Sequence, residues 1–138
     1  VAVRRQRQMC IRDSEKSIEV IVEGLLSLKL LKGSKEEVID KGLYSKFYMH
    51  RIGHWLGMDV HDVGSYKQDG DWRALEKGMV MTVEPGIYIL NSLEDVDDKW
   101  KGIGVRIEDD ILITDTGFEV LTPNVPRSID EVEQTVKG

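Results

Sequence analysis

All three histidines of the chain lie within twelve positions, in the segment HRIGHWLGMDVHDVG, as His50, His54 and His61. His50 and His54 are four residues apart, a spacing that places two metal ligands on one face of a helix. Gly53 and Gly57 argue against a regular helix here, and the spacing alone is a weak signal. A glycine-rich loop with three histidines is a candidate ligand-binding loop, while a structural role for each single histidine stays open.

Two carboxylates accompany apolar runs typical of strands. Glu84 closes the run 79–83 and precedes Pro85, which prevents the hydrogen-bond ladder from continuing. A carboxylate between apolar neighbours is costly to bury unless a cation or a proton partner is present. Glu108 lies two residues after Arg106, so both share one face of an alternating strand. On spacing alone, the alternative of a surface ion pair, worth about 0–1 kcal/mol, is favoured for this second pair.

Together, the histidine cluster and the two carboxylates fit a metal site with mixed nitrogen and oxygen ligands, which favours hard divalent ions. Such a site lowers the pKa of a bound water and polarises a carbonyl, and two metals stabilise both oxygens of a hydrolytic transition state. The chain has no GxSxG motif, and its single cysteine is Cys10. Metal-assisted hydrolysis is therefore the favoured enzyme class, rather than a serine or cysteine nucleophile.

The elements that must position these residues follow from apolar spacing and capping signals. Helical periodicity predicts a core-facing helix from Ser14 to a stop at Gly33. Ser34 and Glu37 form a capping box for a short helix that ends near Lys41, and a second box predicts a helix after Ser128.

Strands are predicted between these helices, separated by a polar connection over 91–101 and a turn at 115–117. They cover residues 79–83, 87–90, 103–107, 111–114 and 118–121. The run 103–107 alternates apolar and polar residues, the pattern of a half-buried strand. The aromatic residues near these strands are interpreted as core rather than as a pocket: Tyr44, Phe47, Tyr48, Trp55 and Tyr88.

Composition limits the classes of function. The 138 residues carry a net charge of −6, with 41% apolar and 32% charged residues, which fits one domain or part of one. Because no basic block and no apolar run of about 18 residues occur, nucleic acid and membrane partners are disfavoured. The lone cysteine and the absence of an apolar leader predict a cytoplasmic protein.

Residues 1–14 differ from the rest, with four arginines and no apolar periodicity. They are interpreted as a basic, poorly ordered arm. Residues 9–14 also resemble a translated sequencing-library adapter, which predicts a non-native stretch ahead of a domain over 15–138.

Three runs, FYMHRIGHWLGMDVHDVG, GMVMTVEPGIYI and GIGVRIEDDILIT, resemble in order the signature segments of the aminopeptidase P branch of metallopeptidase family M24. The family also contains prolidase and methionine aminopeptidase, and the resemblance covers residues 15–138. It implies an α+β fold of two layers, the C-terminal half of a pita-bread fold, in which a curved, mostly antiparallel sheet is backed by helices.

The resemblance also implies roles for single residues. The metal ligands would be His54, Glu84 and Glu108, with Glu84 also shuttling a proton and Glu108 bridging. The remaining site residues would be His50 and His61, which contact substrate and steady the developing oxyanion, and Arg106, which hydrogen-bonds within the site. The family binds two divalent metals, which we expect to be Mn, with Co or Zn as alternatives.

The implied reaction is release of the N-terminal residue from a peptide whose second residue is Pro, by attack of a metal-bridging hydroxide. The implied partners are that peptide and, for the full-length protein, further copies of the chain. Two metal-binding Asp and a further His precede this region in the family, and residues 1–14 do not supply them. We therefore expect the 138-residue chain alone to have little or no peptidase activity.

Three alternatives remain on sequence grounds. Prolidase is the nearest enzymatic one, although the run HWLGMDVHDVG and the long connection before GIGVRIEDD resemble aminopeptidase P more closely. The second is a non-catalytic pita-bread module that binds other proteins, against which the retained metal-ligand set argues. The third is a plain domain in which the polar residues only pair with one another.

Overall fold

The computed structural model describes the backbone of residues 2–138 and the side chains of residues 15–138. The helices are α1 (Ala2–Ser27), α2 (Lys35–Asp40) and α3 (Ile129–Lys137), and two 3₁₀ turns cover Leu43–Lys46 and Asp98–Trp100. The strands are β1 (Lys67–Gln68), β2 (Asp71–Trp72), β3 (Val80–Val83), β4 (Gly86–Tyr88), β5 (Gly104–Arg106), β6 (Asp109–Ile113) and β7 (Phe118–Val120). Among the described residues, no helix combines the length and apolar character that crossing a bilayer requires.

Helix α1 presents its apolar stripe to the first core, where Val22 and Leu25 are fully buried. It begins at Ala2, earlier than the predicted start at Ser14, and ends at Ser27, ahead of the predicted stop. The early end arises because Lys29 adopts a positive φ of 60°, after which the amides of Leu30 and Leu31 donate to the Leu25 carbonyl at 2.9 and 3.3 Å. The sequence predicted a separate, non-native arm over residues 1–14. Val1 and the side chains of residues 2–14 lie outside the described residues, so this stays a prediction.

Both predicted capping boxes mark real helix starts. The Ser34 hydroxyl accepts from the Glu37 amide at 3.1 Å, and α2 ends before Gly42, whose φ of 62° suits glycine. Ser128 and Glu131 form the complete reciprocal box at the start of α3. The first core then closes around α1 and α2 with ten buried residues: Ile21, Val22, Leu25, Leu30, Leu31, Val38, Phe47, Tyr48, Ile89 and Val96.

The strands form small antiparallel sheets in place of one broad one. Strand β6 lies between β3 and β7, β4 pairs with β5, and β1 pairs with β2. The mixture of helices and antiparallel strands confirms the predicted fold class, and the five predicted strands correspond to β3, β4, β5, β6 and β7. A second, smaller core under β3 and β6 contains Trp55, Leu75 and Ile113.

The burial of strand β5 departs from the prediction. Residues 103–107 were expected to be half-buried, yet Ile103, Val105 and Ile107 are 43%, 57% and 46% exposed. The prediction is wrong because β5 has only β4 beside it, so no second described layer covers the apolar side chains. The alternation itself is real, since Arg106 and Glu108 both turn toward the other face.

The hairpin of β1 and β2 was not predicted. Its strands are only two residues long and fully polar except for Trp72, so they lack an apolar period. The signal that could have found it is Asp69-Gly70, which occupies the turn with φ of 53° and 87°. Asp-Gly is a preferred pair for a two-residue hairpin turn with positive φ.

The start of β6 is held by a polar network around Asp109. Arg127 donates from Nε to Asp109 Oδ2 at 2.8 Å, and the Thr122 hydroxyl donates to Oδ1 at 2.7 Å. These hydrogen bonds, led by the one from Arg127, lower the pKa of Asp109. The network ties the segment before α3 to the strand that follows Glu108.

Replacing Leu25 by Ala should lower the free energy of unfolding by about 2–5 kcal/mol, because Leu25 is fully buried and leaves a cavity. Leu28→Ala is the matched control, since Leu28 is 46% exposed and should cost about 0.5 kcal/mol or less. Urea unfolding of both variants checks this, and equal losses would contradict the burial assignment.

Arg127→Met should destabilise the protein at pH 7, because Asp109 loses its ionic partner. The folded pKa of Asp109 is depressed, so its contribution is present above the unfolded value of about 3.9 and is lost as the pH falls through the folded value. The stability difference between wild type and variant should therefore shrink below pH 4. A difference that is constant from pH 7 to pH 3 would refute this role.

Candidate metal centre

The register of the strands brings the two carboxylates together. Val83 pairs with Asp109 at the end of the β3–β6 ladder, and Gly86 pairs with Arg106 at the start of the β4–β5 ladder. Between these ladders the chain crosses twice, at 84–85 and at 107–108, and the two crossings touch through the Ile107 amide and the Pro85 carbonyl at 3.2 Å. Glu84 and Glu108 therefore lie side by side between the end of the β3–β6 ladder and the start of the β4–β5 ladder.

The histidine loop reaches this point by running antiparallel to the free edge of β3. The Thr82 amide donates to the His54 carbonyl at 2.9 Å, and the Leu56 amide donates to the Val80 carbonyl at 3.1 Å. Gly53 makes this approach feasible, because a Cβ at position 53 would lie 1.8 Å from the Thr82 carbonyl oxygen. The expectation that no regular helix forms in this loop is confirmed.

His54, Glu84 and Glu108 each offer a ligand atom, and these atoms all lie within 4.8 Å of one another. The Nδ1 of His54 donates to the Trp55 carbonyl at 2.9 Å, because a carbonyl oxygen can only accept. Its Nε2 faces Glu84 Oε1 at 3.1 Å. One imidazole nitrogen and two carboxylate groups that converge in this way form a donor set that fits a divalent metal.

Glu84 is nine-tenths buried, and its charge is compensated from two sides. Arg106 Nη1 donates to Oε2 at 3.0 Å, and the Thr82 hydroxyl donates to Oε1 at 2.9 Å. Burial by itself raises the pKa of Glu84, but these hydrogen bonds and the nearby His54 outweigh it and lower the pKa overall. The carboxylate is thus held ionised, the form that a metal ligand requires.

Thr82 is a site residue that the sequence did not single out. Its side chain is 2% exposed, accepts from the His54 amide at 3.0 Å and donates to Glu84, so one hydroxyl positions two members of the donor set. A threonine inside an apolar strand looks like any other β-branched residue, and only the register shows its partners.

His50 and His61 border the same donor set without joining it. His50 Nε2 lies 3.0 Å from the Tyr88 hydroxyl, while its Nδ1 donates to the Arg51 carbonyl at 2.7 Å. The His61 ring is edge-on to His54, with the ring centres 4.4 Å apart. All six predicted site residues therefore meet in one place.

An open cleft of about 590 Å³ gives access to this place. Its wall is formed by Met49, His50, Arg51, Gly53, His54, His61, Tyr66, Glu84, Tyr88 and Arg106. The interpretation of the aromatics as core holds for Phe47, Tyr48 and Trp55, which are buried, but is wrong for Tyr88. Tyr88 follows Pro85 at the strand crossing, so its ring turns into the cleft.

Comparison with known proteins identifies the family. A match to metallopeptidase family M24 spans residues 7–115. The Xaa-Pro aminopeptidase of Haemophilus influenzae is 52% identical over 120 residues, 87% of this chain and 27% of that protein. The structure of aminopeptidase PepP from Pseudomonas aeruginosa is 55% identical with a TM-score of 0.86, over 90% of this chain and 28% of that one.

The structure of Escherichia coli aminopeptidase P with the inhibitor Pro-Leu is 42% identical with a TM-score of 0.79, over 96% of this chain and 34% of that one. The chain belongs to metallopeptidase family M24. Its fold is the pita-bread fold of these aminopeptidase P structures, as predicted. The chain spans about a quarter of the length of the curated relatives it matches.

Thr82→Val should weaken divalent metal binding by roughly tenfold to a hundredfold, the usual effect of losing a partner that orients a metal ligand. Thr82→Ser keeps the hydroxyl and should bind nearly as wild type does. Competition with a chromogenic chelator, run with Zn²⁺ and with Mn²⁺, measures the affinity. Equal losses in the two variants would contradict this role of the hydroxyl, because Thr82→Ser retains it.

Proposed function

We propose that the protein to which this chain belongs is a metal-dependent aminopeptidase that releases the N-terminal residue from Xaa-Pro peptides. The observation that carries this proposal is the convergence of His54, Glu84 and Glu108 in a cleft that also contains two further histidines. The named relatives, which are Xaa-Pro aminopeptidases, support the same reaction.

Within this proposal, His54 Nε2 and the carboxylates of Glu84 and Glu108 hold the metal. The bound ion would supply Lewis-acid polarisation of the scissile carbonyl and a water of lowered pKa. We propose Mn as the ion, with Co or Zn as alternatives and two ions in the complete site. A Zn-substituted form of the E. coli enzyme has been solved with product, which supports a divalent ion without selecting one.

The surrounding side chains have separate tasks. Glu84 accepts a proton at a carboxylate oxygen and returns it to the departing amine, while Arg106 keeps the other oxygen in place at 3.0 Å. His61 lies against His54 and is free to donate to the substrate carbonyl as negative charge develops there. His50 takes a fixed orientation from its two hydrogen bonds, so it presents a constant wall to the substrate.

The substrate would be a peptide with Pro in second position, consistent with the Pro-Leu inhibitor in the E. coli complex. The rings of Tyr88 and His50 meet edge to face, with centres 5.4 Å apart and planes 64° apart, and form an aromatic corner against which a proline ring can pack. Assembly into a homo-oligomer and a cytoplasmic location are further parts of this proposal.

We also propose that residues 15–138 form the C-terminal part of the catalytic domain. Sequencing the genomic locus across the codons for residues 1–20 tests this directly. The proposal expects an upstream reading frame that supplies two Asp and one His for the complete site. A frame without them would favour the non-catalytic binding module.

The product of the complete reading frame, loaded separately with Mn²⁺, Co²⁺ and Zn²⁺, should cleave Ala-Pro-Ala and lose activity with a chelator. Glu84→Gln should lower kcat by about a hundredfold or more, because it removes a metal ligand and a proton carrier together. Glu94→Gln, at an exposed position, is the matched control and should retain activity.

Liquid chromatography of the released Ala separates the outcomes. Cleavage of the dipeptide Ala-Pro but not of Ala-Pro-Ala would identify a prolidase instead. Cleavage that persists in the presence of a chelator, or in the Glu84 variant, would refute the metal mechanism.

A further inference from the structure

We propose that Arg51 is a substrate-recognition residue that binds a carboxylate of the peptide at the wall of the metal cleft. This inference rests on the proposed function, and it adds a charge preference that the metal ligands do not provide. The group recognised is either the C-terminal carboxylate of a short peptide or an acidic side chain downstream of the proline.

Among residues 15–138, Arg51 is the one arginine that forms no ion pair. Residues 15–138 contain four arginines. Arg73 pairs with Glu76, Arg106 with Glu84 and Arg127 with Asp109, at 3.3, 3.0 and 2.5 Å. Arg51 forms no ion pair with any side chain of residues 15–138, although the chain is acidic overall.

The guanidinium of Arg51 is nevertheless held in place. It stacks over the Tyr66 ring, 5.3 Å from the ring centre. Tyr66 in turn stacks on Trp55, with ring centres 5.4 Å apart and planes 12° apart, and its hydroxyl accepts from the Trp55 amide at 3.1 Å. Trp55 is buried and follows the metal-binding His54, so this stack fixes the charge relative to the proposed metal site.

The backbone of Arg51 is anchored as well, since its carbonyl accepts from His50 Nδ1 at 2.7 Å. Little conformational freedom is thus left to lose when a ligand arrives, which favours binding. The side chain lines the same cleft as His54 and Glu84 and is exposed to solvent. A substrate that reaches the metal ligands therefore passes within the reach of this side chain.

The chemistry of the group selects its ligand. A guanidinium stacked on an aromatic ring keeps its edge donors free, and that fork matches the two oxygens of a carboxylate. Glu84 does not need Arg51, because Arg106 already donates to it. The guanidinium of Arg51 can therefore bind a negatively charged group of the substrate.

The test uses the metal-loaded product of the complete reading frame and two pairs of peptides. Ala-Pro-Ala is compared with its C-terminal amide, and Ala-Pro-Glu-amide with Ala-Pro-Gln-amide. The variants are Arg51→Gln, which removes the charge, and Arg51→Lys, which keeps the charge but lacks the fork. Arg73→Gln is the matched control, since Arg73 lies outside the cleft wall.

For wild type and the Arg73 control, kcat/KM should favour the charged member of one pair by roughly tenfold, the size of one charge-assisted hydrogen bond. Arg51→Gln should abolish that preference through KM, while cleavage of the uncharged member is unchanged. Arg51→Lys should retain part of it. Preference in the first pair identifies the C-terminal carboxylate, and preference in the second identifies an acidic side chain.

Calorimetric binding of the product dipeptide Pro-Ala, as the acid and as the amide, separates this inference from the proposed function. If no peptide is cleaved but the acid binds more tightly and Arg51→Gln removes the difference, the proposed function fails and the role of Arg51 stands. The inference is overturned if wild type shows no charge preference in any pair. It is also overturned if Arg51→Gln lowers kcat/KM equally for charged and uncharged peptides.

Discussion

The contact on which the site depends is the approach of the histidine loop to strand β3. Hydrogen bonds between residues 52–56 and β3 set the height of His54 along the strand, and the missing side chain of Gly53 sets its distance. Glu84 directly follows the same strand. One strand therefore leads into one candidate ligand and holds another by its edge, so the separation of the two depends mainly on backbone geometry.

Electrostatics then determines what this geometry is suited for. Glu84 is buried with Arg106 and Thr82 donating to its two oxygens, and His54 Nε2 lies 3.1 Å from Oε1. A protein interior tolerates a buried carboxylate when a cation and hydrogen bonds offset its charge. The exposed carboxylate of Glu108 lies at the open side, so that the three donor groups together fit a divalent ion.

Local signals in the sequence were enough for much of the fold and for the choice of residues. These signals act over a few residues, so they can be recognised without knowing which distant segments pack together. They are the Ser34 and Ser128 capping boxes, the proline after Glu84 and the shared strand face of Arg106 and Glu108. Register, by contrast, is a relation between distant segments. It is the reason that Thr82, Tyr88 and Arg51 were not recognised as parts of the site. The exposure of Val105 was not foreseen because it depends on whether a second layer covers β5. The stacking of Arg51 on Tyr66 likewise joins residues separated by a loop.

The β1–β2 hairpin lies directly after Tyr66, yet its two short strands are exposed and contribute no residue to either buried core. The backbone bond from the Arg73 amide to the Tyr66 carbonyl, at 2.9 Å, closes the hairpin at its base. Lengthening such a closed loop costs little free energy. The hairpin can therefore change in length and charge beside the cleft while the geometry of His54, Glu84 and Glu108 stays constant.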